Sequence, residues 1–194
     1  MRRTIYTTPI VRQLFWLLSW AGLKLAGWKI VGTPPKEKKF ILVAVPHTSN
    51  WDFPITLAIS FLCGFRLNWM GKSSLFKGPM GPVMRWLGGI SVDRSKSNNL
   101  VQQVIDGMGQ LDQCALAIPP EGTRSRTEKW KTGFYYIATG AGVPVGLAFL
   151  DYKHKKGGFG PTFYPTGDID KDIEEMQAFY KGISGKRADQ CAND

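Results

Sequence analysis

The sequence predicts an α/β fold. The expected architecture is a single domain with a largely parallel β-sheet flanked by helices, preceded by an N-terminal membrane-associating helical segment. Three observations lead there. Short apolar runs rich in β-branched residues alternate with stretches of helical rhythm, the pattern of strands joined by crossover helices. A chain of 194 residues can build one sizeable core but hardly two. The first 32 residues differ from the rest, being strongly apolar yet punctuated by basic side chains. The chain divides accordingly into an attachment segment (1–32), the main domain (33–183) and a polar tail (184–194).

The opening segment "IVRQLFWLLSWAGLKLAGWKIVG" (10–32) carries Arg12, Lys24 and Lys29. A spanning helix needs about 20 apolar residues with few or no charges, and the run between Gln13 and Lys24 is too short. At about 100° per residue, Arg12, Gln13, Ser19 and Lys24 share one arc with Trp16 and Trp20. Tryptophan beside basic positions suits the boundary between headgroups and acyl chains, so the segment is expected to lie in a membrane surface. The plain alternative is a buried N-terminal helix. Lys24 and the lack of a small-residue cleavage site argue against a signal peptide.

"TPPKEKK" (33–39) is a polar connector, and "FILVAV" (40–45) reads as a buried strand. Pro54 limits the next helix to a start near Trp51 to Phe53, so His47 falls in a strand-to-helix loop with Asp52 at or near the helix cap. "RLNWMG" (66–71) is a second strand, "PVMRWLG" (82–88) a short helix and "GISVD" (89–93) a third strand. A helix over 97–111 leads to a fourth strand at "ALAIP" (115–119). A helix over 130–142 leads to a fifth at "VPVGLAFL" (143–150). "PTFYP" (161–165) is a sixth, 170–183 the last helix, and the tail is expected to fray.

The formal net charge is +10, from 25 Lys and Arg against 15 Asp and Glu. That balance calls for an anionic partner, whether nucleic acid, an acidic membrane or a phosphorylated substrate, and does not choose among them. Cys63, Cys114 and Cys191 are far apart with no metal-ligand spacing, and read as reduced thiols in a cytosolic setting.

In open α/β sheets ligands bind beyond the carboxyl ends of strands, and polar residues gather there. His47 and Asp52 follow the first strand, Asp93 and Arg94 the third, Glu121 and Arg124 the fourth. A histidine accepts protons near neutral pH, and a carboxylate on its other nitrogen fixes the tautomer. Mid-helix, residues five apart diverge by about 140°, so the pair can meet only if His47 folds back over the helix start. "PPEGTRSR" (119–126) offers backbone N–H groups and a guanidinium to an anion, and lacks the P-loop pattern. Taken singly, each has a bland alternative: an incidental histidine, a surface turn with a salt bridge, an Asp93–Arg94 ion pair, a solvated Lys72. The other histidine, His154, sits in the basic loop "YKHKKGG", and no metal site is expected.

Taken together and in order, these segments resemble the blocks of the glycerolipid acyltransferase family, which includes the 1-acylglycerol-3-phosphate acyltransferases. His47 and Asp52 match its HxxxxD block, "GGISVDR" resembles the second, "PPEGTRS" the third and "GVPVGLAF" the fourth. The link "GKSSLFKGPMGPVMRWLGG" also fits, so the resemblance spans roughly residues 40–150. Three positions depart from the usual pattern: Pro119 before Pro120, Pro46 before His47, and Gly146 after Val145.

The resemblance implies transfer of a fatty acyl group from acyl-CoA or acyl carrier protein to a hydroxyl of a lysophospholipid-type acceptor, with 1-acylglycerol 3-phosphate the best guess. His47 would be the general base and Asp52 its orienting carboxylate. Glu121, Gly122, Thr123 and Arg124, with Arg94 and Lys72, would bind substrate. The thioester is already activated, so no cofactor and no metal is expected. Membrane lipids, acyl donor and lysolipid acceptor are the implied partners, at the cytoplasmic face of a membrane, with no nucleic acid. Two other readings stand beside this one: a non-enzymatic basic membrane-peripheral binding module, and an acyl thioesterase.

Overall fold

The structure is a computed structural model that describes residues 3–93, 99–127 and 129–191. In chain order it runs α1 (Val11–Leu25), β1 (Lys29–Val31), β2 (Lys39–Ala44), α2 (Asp52–Cys63), β3 (Leu67–Lys72), α3 (Met80–Trp86) and β4 (Gly89–Val92). Then follow α4 (Leu100–Gly109), β5 (Cys114–Ile118), α5 (Gly133–Ala141), β6 (Val145–Asp151), β7 (Lys156–Phe163) and α6 (Ile169–Phe179). The seven strands form one sheet in the order β1-β7-β6-β2-β5-β3-β4. The five strands from β6 to β4 are parallel, while β7 runs antiparallel to β6 and β1 pairs parallel to β7. The expected largely parallel sheet is present, with a reversed edge that periodicity did not announce.

Each central strand buries both faces, because alternate side chains enter different cores. On β2, Ile41 and Val43 enter one core with Leu116 of β5, Phe134 and Ile137 of α5, and Met176 of α6. Phe40 and Leu42 enter the other with Ile59 and Phe61 of α2 and Leu23 of α1. The result is three layers: α4, α5 and α6 over one face, α1 and α2 over the other.

Three details of the N-terminal segment and tail differ from expectation. Helix α1 stops at Leu25 because Gly27 takes a left-handed conformation, φ 77°, and Trp28 N–H bonds back to the Leu23 carbonyl. The chain then re-enters the sheet as β1, so residues up to 32 do not form one helix. Ser19, grouped by the helical arc with Arg12 and Lys24, is instead buried beside Leu23, on the side where Phe15 stacks on Phe61 of α2 at 5.3 Å. The tail does not fray through residue 191: Cys191 is buried, and its sulfur accepts from the Gly185 N–H.

Away from that narrow docked stripe α1 shows apolar residues to solvent, among them Leu14, Leu17 and Leu18, each more than half exposed, with Trp16 and Trp20 nearly so. Among the described residues no helix is long and apolar enough to cross a membrane.

Candidate active site

β2 and β5 are neighbours in the sheet, in register from Lys39↔Cys114 to Val43↔Ile118. Their chains leave in opposite directions, β2 through α2 on one face and β5 through α5 on the other. Such a divergence opens a crevice at the carboxyl edge. His47 leaves β2 four residues beyond Val43, and Glu121 leaves β5 three residues beyond Ile118. They meet there: the His47 backbone N–H donates to Glu121 Oε2 at 2.9 Å.

Asp52 is the first residue of α2, one position inside the cap formed by Trp51. An acid in the first turn is favoured by the helix dipole, and here it also gathers the loop. Asp52 Oδ2 accepts from the backbone N–H groups of Thr48 and Ser49 at 3.0 and 2.9 Å, and stands 3.0 Å from His47 Nδ1. The imidazole therefore does fold back over the helix start. With Nδ1 directed at a carboxylate, that nitrogen carries the proton, and Nε2 is left with its lone pair. Asp52 Oδ1 accepts from the Tyr152 hydroxyl at 2.8 Å.

Burial opposes ionisation of Asp52, which is almost completely enclosed. The hydrogen bonds from His47, Ser49 and Tyr152 outweigh that penalty and hold its carboxyl below the usual value. For Glu121 the balance goes the other way: burial raises its pKa, the bond from His47 N–H opposes the rise, and the Asp52 charge adds to it. The two carboxylates of the site thus differ in how firmly they stay ionised.

A cleft of about 740 Å³ opens beside His47 and Asp52. Its polar end carries Asn50, Gly122, Thr123, Arg124 and Lys131, and its apolar part Trp69, Met70, Val101, Phe134 and Ile137. Arg124 donates to the Asn50 side-chain oxygen, which bridges the loops after β2 and β5; the amide is neutral and does not offset the guanidinium charge. Lys131 is tied in by its backbone N–H on the Pro120 carbonyl. Its side chain lies across Gly122, where a β-carbon would stand 2.7 Å from Lys131 Nζ. Gly122 has φ 65°, a left-handed backbone that favours glycine, while the flexible end of Lys131 could move aside from a β-carbon.

Of the residues singled out from sequence, the fold brings together His47, Asp52, Glu121, Gly122, Thr123 and Arg124. Lys72 ends β3 on the same sheet edge but is exposed and does not line the cleft. Arg94 lies outside the described residues. Pro119 and Pro120 both line the cleft, and Gly146 lies against Pro35, whose ring would be 2.8 Å from a β-carbon there. Sequence reasoning missed Asn50, Lys131 and Tyr152. Tyr152 follows β6 directly, so the strand-end rule that singled out His47 would have reached it too.

An α/β sheet with a histidine–carboxylate pair at the divergence of its central strands, beside a cleft lined by apolar side chains and by Arg124 and Lys131, has the layout of an enzyme site built for proton transfer. The chain belongs to the acyltransferase family, whose model matches residues 30–146, more than half of its length. Its fold is similar to the crystal structure of the 1-acyl-sn-glycerophosphate (LPA) acyltransferase PlsC from Thermotoga maritima. The TM-score is 0.62 at 21% identity, covering 87% of this chain and 78% of that one. No curated protein matches the sequence significantly.

Proposed function

We propose that this protein moves a fatty acyl group from an acyl thioester, acyl-CoA or acyl carrier protein, to the hydroxyl of a lysophospholipid, with 1-acylglycerol 3-phosphate as acceptor. The observation that carries the reading is the 3.0 Å contact between His47 Nδ1 and Asp52 at the wall of a cleft that is apolar along its depth and cationic at one end. The similar PlsC fold is consistent with it.

His47 Nε2 takes the proton of the acceptor hydroxyl as its oxygen bonds to the thioester carbonyl carbon. The tetrahedral intermediate collapses with cleavage of the carbon–sulfur bond, and the proton held by His47 is available to the departing thiolate. Base catalysis of this kind contributes about 10²- to 10⁴-fold. Asp52 holds the tautomer and stabilises the imidazolium. The thioester supplies the activation, so this route calls for no acyl-enzyme and no metal. Arg124 and Lys131 hold the acceptor phosphate, and Thr123 and the Gly122 backbone line the same end. The apolar part of the cleft takes a chain. Exposed leucines and tryptophans of α1 seat the protein on the cytoplasmic face of a membrane, beside its substrate.

The test uses purified protein on anionic vesicles with a labelled long-chain acyl-CoA and a panel of lysolipids, following new lipid by mass spectrometry. Product from a phosphate-bearing acceptor, absent with folded His47→Ala, is the expected result. Fatty acid release without an acceptor would instead make the protein a thioesterase. Vesicle binding without turnover, with both CoA and carrier-protein donors, would leave a membrane-binding module.

A further inference from the structure

Helix α1, strand β1 and the β6–β7 turn form one unit that reaches the catalytic carboxylate. The turn is docked on the N-terminal segment by Lys29 N–H on the Lys155 carbonyl at 2.8 Å and by Lys155 Nζ on the Ala26 carbonyl at 2.9 Å. Within the turn, His154 Nδ1 closes on the buried Asp151 carboxylate at 2.6 Å. Tyr152 stands between the two ends of this unit. Its ring meets Trp28 edge-on, centroids 5.0 Å apart and planes at 88°, its N–H donates to the Ser184 carbonyl at 2.9 Å, and its hydroxyl donates to Asp52 Oδ1.

We infer that Tyr152 is a positioning residue for the His47–Asp52 pair, holding Asp52 Oδ1 so that Oδ2 faces His47, and that Trp28 makes this hold depend on the seating of the N-terminal segment. The inference rests on the acyl-transfer reading of the site. A carboxylate pinned by Thr48 and Ser49 through Oδ2 alone can still turn about its side-chain torsions. The bond on Oδ1 removes that freedom. Burial, then the hydrogen bond to Asp52 and last its charge, push the Tyr152 hydroxyl well above its ordinary pKa, so it stays a donor across the working range. The groups with titratable or charged character that face Asp52 are His47, Tyr152 and Glu121.

The test is Tyr152→Phe, which keeps the ring against Trp28 and removes only the hydroxyl. In this variant kcat should fall about ten-fold or more, the worth of one hydrogen bond to a charged group. The KM of donor and acceptor should stay within about two-fold, since nothing that touches substrate changes. A second readout needs no turnover: the low-field proton resonance of His47 Nδ1–H, assigned by comparison with His154→Gln, should broaden or move upfield. Trp28→Ala should shift both readouts in the same direction and by less. Unchanged kcat, a loss confined to KM, an unchanged resonance, or a loss that only tracks unfolding would each overturn the inference. If the wild-type protein turns over no thioester at all, the functional reading fails and the resonance still decides whether Tyr152 positions the pair.

Discussion

His47→Ala removes the ring whose free nitrogen serves the cleft, and that ring is only partly buried, so the fold should tolerate its loss while turnover disappears. Asp52→Asn keeps the shape but lets the amide favour the wrong imidazole tautomer. A fall in kcat of about 10³- to 10⁴-fold is expected with KM little changed, measured by initial rates. Asp52 also makes a stability prediction whose sign follows from its lowered pKa. A carboxyl depressed on folding stabilises the native state above its unfolded value, about 3.9, and loses that contribution as pH falls through the folded value. As pH falls below about 5, stability to denaturant should therefore weaken more in the wild-type protein than in Asp52→Asn. The pair was legible because proton chemistry has few side-chain options and HxxxxD straddles a strand-to-helix turn. Lys131 was not, because lysines are common and only the folded chain shows which one reaches the site; Tyr152 was within reach of the strand-end rule, but its bond to Asp52 shows only in the folded chain.

At the scale of elements, the two ends of the loop between β5 and α5, Gly122 and Lys131, act as a unit. Lys131→Ala should raise the KM for a phosphate-bearing acceptor by about ten-fold, as expected for loss of a charge-assisted contact, and leave that for a neutral amphiphile nearly unchanged. Gly122→Ala strains a left-handed backbone and displaces Lys131, so it should reproduce the Lys131 effect with an added loss of thermal stability, read by melting. Strands β2, β5 and β6 were legible as apolar runs between breakers, since burial on both faces demands them. The N-terminal half of β7 was not. Its glycines read as loop, yet Gly158 is needed there because a β-carbon would overlap the Val31 carbonyl of β1. A strand selected for close backbone approach carries no β-propensity to find, and β1 was hidden with it inside an apolar segment that reads as helix.

Across the whole molecule, α1 sets an exposed apolar face beside basic residues, with Lys24 over the Trp20 ring at 4.7 Å. Replacing Leu14, Leu17 and Leu18 together by serine should abolish co-sedimentation with anionic vesicles and leave the folded domain intact, because none of the three is in either core. Binding should also weaken as salt rises, since each Lys or Arg near an anionic surface adds about 1 kcal/mol that salt screens. The gathering of His47, Asp52, Glu121 and Arg124 at one sheet edge followed from the strand-end rule. The cleft's depth and its cationic end emerged only from packing.

As the base of acyl transfer, His47 would drive ester formation rather than release of fatty acid to water. The most direct measurement counts free thiol and new lipid ester in the same reaction, with and without 1-acylglycerol 3-phosphate, for wild-type protein and folded His47→Ala. One thiol per ester, both dependent on the acceptor and both lost in the variant, is the predicted result. Thiol release that ignores the acceptor, or ester formation that survives in His47→Ala, would contradict it.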